Sequence, residues 1–167
     1  MNPQLIPLTI TTDADGPCVS VAGGNYRVVI SGKQTGGEYA VIDMLVPPNG
    51  GPGPHAHVEI QEAFYVLDGE VEIKTEEQTY TAKRGTYINI PKGGMVHCFK
   101  NKTDTLARLL CYVMPAGMDD MFLEIGKPVE PGVFLPAPQL GPDDIKKLME
   151  IGERYGQKFY PPDYLDK

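Results

Sequence analysis

The chain has 167 residues, with 15 Lys plus Arg against 22 Asp plus Glu and a formal charge of −7. That balance argues against a nucleic-acid footprint or a polybasic membrane patch, and the length suits one domain around a single core. Glycine (19) and proline (16) are abundant without any repeat, and 41% of residues are hydrophobic, a mixture that suits an all-β domain with many turns.

The opening stretch, MNPQLIPLTITTDADG, has no basic segment and its apolar run is broken at Pro7, so no signal peptide is expected. No run approaches the ~18 apolar residues of a membrane span. Three cysteines, Cys18, Cys98 and Cys111, show no CxxC spacing and point to a reducing compartment, so a cytoplasmic protein is expected. After a possible strand around 8–12, short runs rich in Val, Ile, Tyr, Phe and Thr predict strands at 18–22, 25–30, 38–46, 54–59, 62–67, 70–75, 78–82, 86–90, 96–100 and 106–114. Asp68-Gly69 between FYVL and EVEIK suits a tight hairpin turn, and Gly85 and the Asn101–Asp104 stretch punctuate later strands. Strands without intervening helices exclude a βαβ sheet and predict an antiparallel sandwich or barrel.

Beyond residue 115 the pattern changes. Met118, Met121, Phe122 and Ile125 fall at helical spacing and predict a short amphipathic helix over 118–125, sealing one end of the β domain. A proline-punctuated extended segment, KPVEPGVFLPAPQLG, follows. Pro142, Asp143 and Asp144 open a helix over 142–155 whose packed stripe is Ile145, Leu148, Met149 and Gly152, and Gly156 ends it. The expected organisation is N-terminal strands over 1–36, a β-barrel over 37–115 and a helical extension over 116–167 packed on the same domain. Strands near 8–12 and 18–30 are exposed edges in a monomer, so a homodimer is expected.

The chemistry rests on three histidines. His55 and His57 lie two apart in a predicted strand, so both imidazoles share one face, and His97 lies in another strand forty residues on. Strand parity adds Glu59 to that face, whereas a turn between the strands at 54–59 and 62–67 brings in Glu62 instead. Cys98 points away from His97 and is expected to be a core thiol. Phe64, Val66 and Phe99 share the ligand face and are expected to point inward. Tyr39, Tyr65 and Tyr87 are expected near the mouth or on the outer face.

With these residues the chain resembles the cupin superfamily. In HAHVEIQEAFYVLDG the first cupin motif matches His55, His57, Glu62 and Gly69. In GTYINIPKGGMVHCFKN the second matches Gly85, Pro91, Gly93, His97 and Asn101, except that three residues separate Gly93 from His97 where two are usual. The extra residue is expected to form a bulge or a longer turn. The tail, from ARLLCYVMPAGMDDMFLEIG to GPDDIKKLMEIGERYG, is similar to small single-domain bacterial cupins grouped with quercetin 2,3-dioxygenase-like proteins.

The resemblance implies an all-β double-stranded β-helix, or jelly-roll, with C-terminal helices. It also implies one divalent transition metal per chain (Fe, Mn, Ni, Co, Cu or Zn) held by His55, His57, Glu62 and His97, and resolves the carboxylate choice in favour of Glu62. The expected function is a metal-dependent dioxygenase acting on an enol or phenolic small molecule bound in the barrel, with Glu62 as both ligand and catalytic base. Two other readings stand beside it: a non-catalytic metal- or small-molecule-binding cupin, and a cupin isomerase or decarboxylase.

Overall fold

The structure is a computed structural model that describes residues 8–166. Two antiparallel sheets face each other. The first runs in the order β11 (Lys127–Pro128), β1 (Cys18–Val21), β2 (Gly24–Ile30), β3 (Ala40–Val46), β10 (Ala107–Met114), β5 (Gln61–Asp68) and β8 (Tyr87–Ile90). The second runs β12 (Gln157–Phe159), β4 (His55–His57), β9 (His97–Lys100), β6 (Glu70–Thr75) and β7 (Thr79–Lys83). The architecture is the expected all-β jelly-roll with two C-terminal helices, α1 (Met118–Ile125) and α2 (Pro142–Arg154). Among the described residues, no helix is long and apolar enough to cross a membrane.

Alternation along the strands builds the core. Val66 and Phe64 of β5, Leu109 and Cys111 of β10, Ile73 of β6 and Phe99 of β9 are buried between the sheets. Phe64 and Phe99 meet edge to face, with ring centroids 5.3 Å apart. Cys98 has the opposite parity and packs with Ala56, Val96 and Leu165 in a small cluster on the other face, as strand parity predicts.

Four sequence-based expectations need correction. Residues 8–12 form no strand, and Leu8 and Ile10 are exposed. The following Asp13–Gly16 turn is closed by the Asp15 carboxylate, which accepts from the Thr12 amide (2.8 Å) and hydroxyl, while the Arg27 guanidinium donates to the Thr12 and Asp15 carbonyls. The outer edge of β1 is not bare: Val19 pairs with Pro128 and Ser20 with Lys127, and the Asn25 amide donates to the Glu130 and Val133 carbonyls. The edge on which a homodimer was expected to form is therefore covered by the chain's own proline-rich segment. Helix α2 packs only through its last turn, where Ile151 and Gly152 are buried, whereas Ile145 and Met149 remain exposed. Helix α1 does not merely seal an end: Met118, Met121 and Phe122 join the main core, with Phe122 edge-on to Tyr26 at 5.2 Å.

Two polar devices hold the frame. Asp119 at the start of α1 is buried and accepts from the Gly32 amide at 2.8 Å and the Gly117 amide at 2.9 Å, tying the helix to the link between β2 and β3. Asp43, central on β3, accepts from Arg108 of β10 at 2.9 and 2.7 Å and from Arg27 of β2 at 3.2 Å, clamping three adjacent strands. Burial raises the Asp43 pKa, but the hydrogen bonds and positive charge of Arg108 and Arg27 outweigh it and hold the carboxyl below its ordinary value.

A depressed folded-state pKa stabilises the fold above the ordinary carboxylate range and loses that contribution as pH falls through the folded value. Asp43→Asn should therefore cost about 1–3 kcal/mol at pH 7, the worth of a charge-assisted hydrogen bond. In urea titrations the gap to wild type should shrink below the ordinary aspartate range.

Candidate metal centre

His55 and His57 project from β4, and His97 lies directly opposite His55 in the β4–β9 pair, so all three rings leave the five-stranded sheet on its inner face. Ring centroids lie 4.4 Å apart for His55 and His97, 5.0 Å for His57 and His97, and 6.0 Å for His55 and His57. Glu62 comes from β5 in the facing sheet. Its Oε2 lies 3.2 Å from His57 Nε2 and 3.3 Å from His97 Nε2. One ligand atom from each of the four residues falls within 4.8 Å of every other. Glu62 is 2% exposed, and His57 and His97 are 2% and 1% exposed. Glu59, the competing carboxylate, is exposed.

Backbone carbonyls orient each ring. His55 Nδ1 donates to Gly53 O at 2.9 Å, His57 Nδ1 to Ile60 O at 2.7 Å, and His97 Nδ1 to Met95 O at 2.9 Å. A carbonyl can only accept, so each Nδ1 carries the proton, and in the neutral ring Nε2 presents a lone pair toward the cluster centre. Two such lone pairs beside a carboxylate oxygen repel unless a cation lies among them. This donor set fits a divalent metal: three neutral imidazoles and one carboxylate, each imidazole fixed through its remote nitrogen in the manner of metal-binding histidines.

For His57 or His97 to donate to Glu62 from Nε2, that nitrogen must carry a proton in addition to the one on Nδ1. Burial disfavours charge on His57, but its contact with Glu62 outweighs that and raises its pKa. Burial, helped by the neighbouring His97, lowers His55 to about 4. Burial pushes the Glu62 carboxyl up, yet hydrogen bonds from His57 and His97 prevail and hold it well below the usual carboxylate range.

The loops explain why the ligands converge. The His57–Ile60 bond closes the link between β4 and β5, which places Glu62 in the second position of β5. The residue added before His97 is absorbed by Gly93 (φ 119°) and Gly94 (φ 83°), and the Gly93 amide donates to Val58 O at 2.9 Å. His97 keeps its place as a result. The segment before His55 is pinned by Asn101, whose side chain donates to Val46 O and Thr105 O and whose backbone exchanges bonds with Asn49 and Gly50. At Gly51 (φ 129°) a Cβ would lie 2.1 Å from Phe99 O, so only glycine permits this approach to β9.

Sequence reasoning missed two neighbours of the site. Cys111, on the same inner face, donates its thiol to Glu62 Oε1 at 3.4 Å, and burial raises its pKa well above that of a free thiol. Tyr26 is buried in the core, and burial pushes its phenol pKa far up, so it stays neutral. By contrast Tyr39, Tyr65 and Tyr87 are exposed.

Residues 42–113 match the family model described as a cupin domain. Quercetin 2,3-dioxygenase of Bacillus subtilis (strain 168) is 29% identical over 104 residues, covering 62% of this chain and 30% of that protein. The chain thus spans less than a third of that relative's length. Among solved structures, a predicted oxalate decarboxylase from Thermotoga maritima is similar with TM-score 0.57 and 20% identity, covering 64% of this chain and 99% of the other. The polyketide cyclase RemF from Streptomyces resistomycificus is similar with TM-score 0.57 and 20% identity, covering 84% and 92%. These structural likenesses bear on the fold.

Metal analysis of untagged protein should find about one transition metal per chain, and His97→Ala should lose most of it. Because protons compete for the same nitrogens, wild type should release the ion below about pH 6.

Proposed function

Because residues 42–113 match the cupin domain family and the chain brings three histidines and one glutamate together in a buried cluster, we propose that it is a metal-dependent dioxygenase acting on an enol or phenolic small molecule. The observation that carries this reading is the composition of the interior around the cluster. Phe64, Val66, Phe99, Leu109 and Val113 are apolar, and Glu62 is the one acidic side chain on that face of β5. A planar, weakly acidic ligand suits such walls better than a sugar phosphate or a polycarboxylate, which need cationic partners. Lys74, Lys100 and Lys102 instead line a cleft with Gly51, Pro54 and Asp166, on the face of β6 and β9 opposite to His97.

Bound by His55, His57, Glu62 and His97, a divalent transition metal would supply Lewis-acid polarisation of a ligand oxygen and, where redox-active, electron exchange with dioxygen. The protein's part is orientation and proton handling. The three carbonyl-anchored imidazoles keep a fixed tautomer. Glu62 takes the proton of the substrate hydroxyl on Oε1, the oxygen that otherwise accepts from the Cys111 thiol. Burial of the cluster among apolar side chains excludes bulk water, which strengthens each electrostatic contact inside. Both atoms of dioxygen enter the substrate, so the substrate is oxidised by the dioxygen consumed and no further reductant is required.

Oxygen uptake tests this reading. Protein loaded in turn with Fe, Mn, Ni, Co or Cu should consume dioxygen with quercetin or a simple enediol, and Glu62→Gln should slow turnover at least 100-fold, within the usual worth of a general base. Binding of quercetin without oxygen uptake for every metal would favour a non-catalytic binding protein.

A further inference from the structure

The last strand of the chain was not foreseen in the sequence. β12 pairs antiparallel with β4, placing Gln157 opposite His57, Lys158 opposite Ala56 and Phe159 opposite His55. Directly opposed residues in such a pair point to the same face, with Cβ atoms about 4.5–5.5 Å apart. Gln157 therefore projects to the inner face alongside the His57 ring, and Lys158, on the other parity, is exposed. Gln157 is itself 3% exposed. Its Nε2 is buried and has no hydrogen-bond partner, and it is the one such side-chain atom among the described residues.

Leaving a buried amide unpaired is destabilising, so a position that serves packing alone favours an apolar side chain. The surroundings hold Gln157 firmly in place. Gly152 of α2 lies against β12, where a Cβ would overlap the Phe159 ring at 2.2 Å and touch Gln157 Cβ at 3.5 Å. The last turn of α2 thus packs against Phe159 and the Cβ of Gln157.

We propose that Gln157 is a ligand-binding residue of the metal centre, donating from Nε2 to an oxygen of the bound small molecule, and that the α2–β12 unit forms one wall of its binding cavity. The inference rests on the functional reading above, because it requires an oxygen-bearing ligand beside the three histidines. It places a specificity determinant outside the 42–113 segment that carries the metal ligands. The ligand it selects presents an acceptor oxygen, such as an enolate or carbonyl, one side-chain length from the metal-binding nitrogens.

The test uses Zn-loaded protein, which is redox-silent, titrated with 4-nitrocatechol and read by the visible absorbance of the probe. Gln157→Met and Gln157→Leu should weaken probe binding about tenfold or more while retaining one metal per chain. Both ligand-free variants should melt at or above the wild-type temperature, because an unpaired polar group has been removed. Unchanged probe affinity in both variants would overturn the assignment of Gln157 and leave the functional reading intact, as would a fall of several degrees in melting temperature with affinity unchanged. Failure of wild type to bind the probe would overturn both.

Discussion

Three hydrogen bonds from imidazole Nδ1 to backbone carbonyls set up everything else at this site. They settle the tautomer of His55, His57 and His97, and by doing so aim three Nε2 lone pairs at one point. Each accepting carbonyl belongs to a residue two or three positions away in the chain, so local loop conformation rather than distant packing decides ring orientation. Glu62 completes the cluster from the opposite sheet. At 2% exposure its charge is offset by the imidazole nitrogens of His57 and His97, which lie within 3.3 Å and can carry a proton or a metal ion.

The jelly-roll serves this arrangement by bringing two sheets together with the ligands divided between them. Three ligands leave β4 and β9 and one leaves β5, so the site depends on the distance between sheets, which the Phe64–Phe99 contact and the surrounding aliphatic core maintain. The Asp43 clamp fixes the register of β2, β3 and β10, and β10 in turn carries Cys111 to Glu62 Oε1. Asn101, buried and fully bonded, joins the loop before His55 to the end of β9, so the two histidine segments cannot move independently. A motif residue that takes no part in ligation thereby sets the spacing of residues that do.

Much of this was legible in the sequence. Strand alternation and turn chemistry place β1 to β10 within a few residues, because side-chain parity and glycine or aspartate turns are local properties. The four clustered residues were legible through the spacing of two motifs, although strand parity alone favoured Glu59. It fails there because the chain turns between His57 and Gln61, and the period of two does not continue across a turn. The missed features depend on distant contacts. β12 is three residues long and exists because β4 offers it an edge, and nothing in Gln157-Lys158-Phe159 announces a strand. The 127–133 segment is held by pairing of Lys127 and Pro128 with β1 and by the Asn25 side chain, contacts between residues far apart in the chain. α2 has an apolar stripe that the fold uses only at its end.

The orientation of the three rings can be measured directly. Long-range proton–nitrogen NMR on histidine-labelled, Zn-loaded protein distinguishes protonated, unprotonated and metal-bound ring nitrogens. All three histidines should appear as Nδ1–H tautomers with Nε2 shifted by the metal. A histidine protonated at Nε2, or one whose Nε2 resembles a free imidazole, would contradict the account.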